Sequence, residues 1–139
     1  MRTKIIIGLV ILVFIFSGYW LLSPVEYQVP PEYDCLHISV SGAPAFEISD
    51  PDTVESLVEA INSTTYRKRM QRITDAPENL AAVIQLVDRD TNTSVVDVIV
   101  LSTYEGNHSF GISDGDKDLI AVSPDLLETC IDSLIDRVQ

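Results

Sequence analysis

The chain has 139 residues, of which 46% are hydrophobic, and a formal net charge of −12. Because Arg2 and Lys4 contribute +2 to this sum, residues 23–139 carry −14, a balance that argues against binding to nucleic acid. About 115 residues follow the apolar N-terminal stretch, which is enough for one domain with one core.

The most informative stretch is Ile5–Leu22, which contains no charged residue. As a helix it extends about 27 Å, close to the hydrocarbon thickness of a thin bilayer. Arg2 and Lys4 precede it, and Trp20 lies near its far end, where aromatic rings favour the headgroup layer. The positive-inside rule therefore predicts a single-pass protein of the cell membrane with a cytoplasmic N-terminus and an extracytoplasmic C-terminal part.

A cleaved secretory signal is the alternative interpretation of this stretch. Signal peptidases require small residues in an A-x-A-like arrangement after the apolar region. The chain offers bulky residues at Tyr19–Leu22 instead. The sequence therefore favours an uncleaved signal-anchor, and in either case the remaining residues are predicted to be extracytoplasmic.

The predicted organisation has four parts: a cytoplasmic N-terminus at 1–4, a transmembrane signal-anchor at 5–22, a Pro-rich linker at 23–34 and an extracytoplasmic domain at 35–139. The linker contains Pro24, Pro30 and Pro31, which favour an extended path that spaces the domain from the membrane.

Residue patterns within the domain predict α+β architecture. Alternating or continuous apolar runs predict strands, and apolar residues at i, i+3, i+4 and i+7 predict two helices, after Asp50-Pro51 and after Ser123-Pro124. Ser123 is expected to cap the second helix. Strands interrupted by two helices, without regular alternation, predict a mostly antiparallel sheet with both helices packed on one face. The predicted strands are 36–40, 45–48, 80–88, 94–103, 108–112 and 119–122, the last of which is expected to close the sheet.

A basic cluster, Arg67, Lys68, Arg69 and Arg72, is the sharpest local anomaly of the acidic part. Such a cluster could receive an acidic membrane or surface protein partner. An edge strand whose positive side chains discourage aggregation accounts for the same residues. These four residues are the candidates for partner binding.

Asp114, Asp116 and Asp118 are spaced as the first three carboxylates of a calcium loop. The sixth position of that loop is Leu119 instead of glycine, and the twelfth is Asp125 instead of glutamate. Asp-Gly is also a common hairpin turn, which explains these residues without a metal. Weak calcium binding is therefore a minor alternative.

The two cysteines, Cys35 and Cys130, lie in a compartment that permits a disulfide. Strand alternation directs Cys35 outward with His37, whereas Cys130 falls on the buried stripe of the last helix. Two separate thiols are therefore favoured over a bridge. Cys35 and His37 supply only two zinc ligands, with His108 and Cys130 as the remaining candidates, so no metal or other cofactor is predicted.

The segment Gly111–Gly115 matches the G-x-S-x-G pattern of hydrolase nucleophiles. That chemistry needs a histidine later in the chain, and none follows Ser113. The resulting prediction is a membrane-anchored, non-catalytic interaction or sensing module. A small enzyme with an unrecognised site is the first alternative, and a calcium-responsive module is the second.

Overall fold

The computed structural model describes residues 1–41, 43–69, 80–102, 106–115 and 117–139. These residues form an N-terminal apolar helix, one eight-stranded antiparallel sheet and two further helices, which confirms the predicted α+β fold. The helices are α1 (Arg2–Leu22), α2 (Pro51–Ser63) and α3 (Asp125–Val138). The strands are β1 (Val25–Glu26), β2 (Cys35–Val40), β3 (Phe46–Ile48), β4 (Thr65–Lys68), β5 (Leu80–Asp88), β6 (Thr93–Ser102), β7 (His108–Ser113) and β8 (Asp118–Val122).

Helix α1 has 21 residues and contains an 18-residue window with a mean hydropathy of 2.7, so it is long and apolar enough to cross a membrane. None of its side chains is buried within the protein. Apolar side chains exposed along most of a helix of this length are typical of a membrane span or a signal sequence and not of a core helix.

The strands follow the spatial order β1-β4-β8-β7-β6-β5-β2-β3, and every neighbouring pair is antiparallel. Strand β6 lies inside the sheet, as its almost continuous apolar run predicts. Strand β8 does not close the sheet, contrary to the prediction, because β4 pairs with its outer side. Residues 66–73 carry no clear sequence pattern, so β4 is absent from the predicted strands and is anticipated only by the edge-strand interpretation of the basic cluster.

Helices α2 and α3 pack side by side on one face of the sheet. The Asp50 side chain caps α2 by accepting a hydrogen bond from the Thr53 amide at 3.3 Å. The predicted cap of α3 is wrong: Ser123 adopts φ +56°, which moves the N-cap to Pro124, and no side chain caps this helix.

The core lies between this helical layer and the facing side of the sheet. Its largest members include Tyr66, Phe110, Leu57 and Ile131, each at most 1% exposed. Burial raises the pKa of Tyr66, so its hydroxyl stays neutral and donates to the carbonyl of Ile61 at 2.8 Å.

The segment 23–34 does not run free as an extended spacer. Its strand β1 pairs with β4, and Tyr27 is only 5% exposed, with its ring edge-on to Tyr66. Two apolar side chains, Val29 and Tyr33, also pack against the core. These contacts hold the end of α1 against the sheet instead of spacing it away.

Candidate functional site

The structure divides the predicted basic cluster between the two faces of β4. Arg67 is exposed on one face, and strand alternation places Lys68 on the other, with Leu119 as its cross-strand partner. Arg69 follows directly and donates its amide hydrogen to the carbonyl of Asp118 at 3.2 Å. Arg72 lies outside the described residues.

Lys68 and Arg69 line a cavity of about 420 Å³ between the end of α1 and the sheet, which we call the edge cavity. It forms where the close contact between α1 and β4 leaves a gap beside β8. Its lining residues are Trp20, Leu21, Val25, Lys68, Arg69, Lys117, Asp118 and Leu119. The lining therefore combines three cations and one carboxylate with an apolar wall.

Two cations of the edge cavity have unusual surroundings. The ammonium of Lys68 lies 3.4 Å from the centroid of the Trp20 ring, a cation–π contact. The Nη1 atom of Arg69 is buried, and among the described residues it alone is a buried side-chain nitrogen or oxygen without a hydrogen-bond partner. A buried guanidinium nitrogen normally has an acceptor, and three of the four charged residues that line this cavity are cations.

A second cluster lies on the sheet face away from the helices, where β2 pairs with β3. We call it the Cys35 cluster and define it as Cys35, His37, Glu47 and Arg89. The Nε2 atom of His37 lies 3.9 Å from Cys35 Sγ and 3.2 Å from Glu47 Oε2. Cys35 is on the predicted face of β2 but is fully buried there.

Arg89 supplies the positive charge of the Cys35 cluster. Its guanidinium donates to Oε1 of Glu47, and this bond, followed by the bond to His37, lowers the pKa of the glutamate. The carboxylate in turn raises the pKa of Arg89, with a smaller contribution from the Cys35 sulfur. The thiol is therefore surrounded by an imidazole, a carboxylate and a guanidinium.

This arrangement differs from a catalytic triad. In a triad one imidazole nitrogen faces the nucleophile and the other faces the carboxylate. Here Nε2 faces both Cys35 and Glu47, so the three groups converge on one point. Convergence of this kind favours binding of a cation over transfer of a proton.

The two cysteines are free, in agreement with the favoured prediction. Cys35 lies on the sheet face away from the helices, whereas Cys130 packs from α3 against the core on the other face. Burial raises the pKa of the Cys130 thiol, so this side chain remains protonated and is a poor nucleophile.

Two of the three proposed calcium residues, Asp114 and Asp118, lie in the described part of the chain. Asp114 accepts hydrogen bonds from the amide of Lys117 at 2.8 Å and from the Tyr27 hydroxyl at 3.2 Å. Asp118 is the cross-strand partner of Ser113. Asp116 lies outside the described residues. The contacts of Asp114 are those of a turn that is fixed to the core.

We expect the melting temperature of the protein to be the same in millimolar Ca²⁺ and in excess chelator, because Asp114 already accepts bonds through both oxygens. Thermal unfolding monitored by circular dichroism checks this. A rise in melting temperature with Ca²⁺ that disappears in the Asp116→Asn variant would contradict it and establish the calcium alternative.

The structure offers little support for a hydrolase at Gly111–Gly115. Ser113 ends β7 and is followed by a turn, with Gly115 at φ +93°, and then by another strand instead of the required helix.

A cleft of about 580 Å³ separates α2 from α3, but its residues Asp50 and Thr53 are engaged in capping α2. Arg137 crosses this cleft to the Thr53 hydroxyl at 3.0 Å.

The sequence offered His108 and Cys130 as further ligands beside Cys35 and His37. The structure places Glu47 beside them instead, and sequence reasoning missed this residue. The missing signal is strand register: Glu47 is the cross-strand partner of His37 in the β2–β3 hairpin. Pairing the predicted hairpin residue by residue across its turn brings these two side chains together.

A scan against protein-family models finds no match for this chain, and searches of curated proteins and of solved structures find none either.

Proposed function

We propose that this protein is a single-pass, membrane-anchored interaction module without catalytic activity, whose binding surface is the edge cavity. In this proposal α1 spans the cell membrane, the N-terminus is cytoplasmic and the domain is extracytoplasmic. The orientation is supported by Arg2 and Lys4 before the span. The single observation that carries the binding surface is the buried Nη1 of Arg69, which lacks an acceptor.

The proposed ligand is an anionic phospholipid headgroup. The edge cavity lies beside Trp20 and Leu21, at the end of the proposed span, which is the depth at which phosphate groups and aromatic side chains meet. Its cations match a phosphate, while its apolar wall matches the glycerol and the first acyl carbons. An acidic protein segment would match the cations alone, so the combined lining favours the lipid.

Binding of this kind would fix the domain at the membrane surface. With β1 paired to β4 and Lys68 on the Trp20 ring, α1 and the sheet already contact one another. A phosphate that bridges Arg69 and Lys117 would add charge-assisted hydrogen bonds to that contact. The module would then present its outer surface in a fixed orientation to neighbouring membrane proteins.

We expect the triple variant Lys68→Ser, Arg69→Ser, Lys117→Ser to retain much less anionic lipid than the parent protein. Each cation near a membrane surface contributes about 1 kcal/mol, so three contribute about 3 kcal/mol, or roughly a hundredfold in affinity. Native mass spectrometry of the full-length protein, released from nanodiscs of mixed phosphatidylglycerol and phosphatidylcholine, measures the retained lipid.

Arg67→Ser is the matched control, because it removes a cation from the other face of the same strand. Equal retention of phosphatidylglycerol by the parent and the triple variant would contradict the lipid assignment. If an acidic membrane protein co-purifies with the parent and is lost from the triple variant, while lipid retention is unchanged, the cavity serves a protein partner instead.

A further inference from the structure

We infer that Cys35, His37 and Glu47 form a zinc-binding site, independent of the edge cavity. Cys35 and His37 lie at alternate positions of β2 and therefore share a face, and β3 brings Glu47 beside His37. One ligand atom from each residue lies within 4.8 Å of the other two. Thiolate, imidazole and carboxylate together are a donor set that Zn²⁺ prefers.

The distances within the cluster are close to those of a zinc site. With Zn–S of about 2.3 Å and Zn–N of about 2.0–2.1 Å, tetrahedral geometry separates sulfur from nitrogen by about 3.6 Å and nitrogen from oxygen by about 3.3 Å. The corresponding distances from His37 Nε2 are 3.9 Å to Cys35 Sγ and 3.2 Å to Glu47 Oε2. The sulfur–nitrogen and nitrogen–oxygen distances therefore need to change by only a few tenths of an ångström when zinc binds.

The third distance, between Cys35 Sγ and the Glu47 carboxylate, is at most 4.8 Å and would shorten when zinc binds. Glu47 can make that adjustment, because its side chain is 48% exposed and β3 is an edge strand. Three protein ligands leave the fourth position of a tetrahedral zinc ion to a water molecule or an external ligand.

Arg89 has a defined place in this site. It holds Oε1 of Glu47, which leaves Oε2 directed at His37, so it orients the carboxylate as outer-shell groups do in zinc sites. Its positive charge also lies close to the Cys35 sulfur and competes with a cation. Because the Arg89 side chain is 51% exposed, it can withdraw from the sulfur into solvent when zinc binds.

Zinc binding requires a thiolate, so the Cys35 thiol releases one proton to solvent and one Zn–S bond forms, without any change of oxidation state. Binding should therefore weaken as the pH falls. The same requirement gives an optical test, because Co²⁺ in a thiolate site shows a near-ultraviolet sulfur-to-metal charge-transfer band.

The experiment is titration of the full-length, reduced protein in detergent with Zn²⁺ against a chelating dye, repeated with Co²⁺. We expect one equivalent to bind, with a Co²⁺ charge-transfer band. Glu47→Gln and His37→Gln should each weaken binding at least tenfold. Cys35→Ser should abolish the band.

Cys130→Ser is the matched control, since it removes the only other thiol of the chain and should leave both signals unchanged. Glu47 is exposed, so its variant tests the site even if Cys35→Ser fails to fold. The inference is overturned if the parent binds no zinc, if Glu47→Gln binds as tightly as the parent, or if the charge-transfer band depends on Cys130.

Discussion

Replacing Tyr66 with alanine is expected to destabilise the folded protein by about 3–5 kcal/mol, the range for loss of a fully buried aromatic ring. Tyr66 is completely buried in β4, and its ring packs edge-on against Tyr27 with the centroids 6.4 Å apart. Since most domains are stable by only about 5–15 kcal/mol, this loss is a large fraction of the total. Urea unfolding of the full-length protein in detergent, followed by far-ultraviolet circular dichroism, measures it. The fluorescence of Trp20 is a poor probe, because this residue lies in α1 and not in the core.

Tyr66→Phe is the matched variant, because it keeps the ring and removes only the hydroxyl that donates to Ile61. It removes one of the two hydrogen bonds that the Ile61 carbonyl accepts, the other coming from the Thr64 amide, and should cost about 0.5–1.5 kcal/mol. If Tyr66→Ala shifts the urea midpoint no further than Tyr66→Phe does, the ring does not contribute to the core, and the packing of segment 23–34 against β4 is incorrect.

Replacing both Ile11 and Phe14, in the centre of α1, with aspartate is expected to remove the protein from the membrane fraction. The span contains 13 Ile, Leu, Val and Phe residues between positions 5 and 22. At about −0.3 to −0.6 kcal/mol each, they favour insertion by roughly 4–8 kcal/mol, and one central charge costs about 2.5–3.5 kcal/mol. One aspartate should therefore be tolerated, whereas two bring the free energy of insertion to about zero or above.

Carbonate extraction of cell membranes, followed by immunoblotting, measures the loss. The double variant Ile11→Leu, Phe14→Leu is the control, because it changes the same positions and keeps their hydropathy. Retention of the double-aspartate variant in the carbonate-resistant pellet would mean that something other than the apolar surface of α1 holds the protein at the membrane.

The sequence was sufficient to predict the parts of the fold that depend on local periodicity. The apolar stripe of α2 at Val54, Leu57, Val58 and Ile61 is buried, and the long β5–β6 hairpin forms as its two apolar runs predict. Such patterns are visible because the period of the apolar residues matches the period of the element.

The errors arose where tertiary contacts decide the structure. Short β1 and β4 have no strand pattern of their own, and they form because pairing at the edge of the sheet buries Tyr27 and Tyr66. Proline content favours an extended backbone at 23–34, but it says nothing about what that backbone packs against.

The candidate sites were only partly predictable for a related reason. The run at Arg67–Arg69 is visible in the sequence, but strand alternation and the position of α1 decide which of its cations face the edge cavity. Glu47 is ten residues from His37, and only the register of β2 with β3 brings the two side chains to 3.2 Å.

We propose that α1 anchors the domain on the outer side of the cell membrane. Protease treatment of intact cells that express the full-length chain with a C-terminal epitope tests it most directly. The proposal predicts that the epitope stays with the cells and is removed by added protease without disrupting them. An epitope that resists the protease until the cells are lysed, or one that is released into the medium without protease, would contradict it.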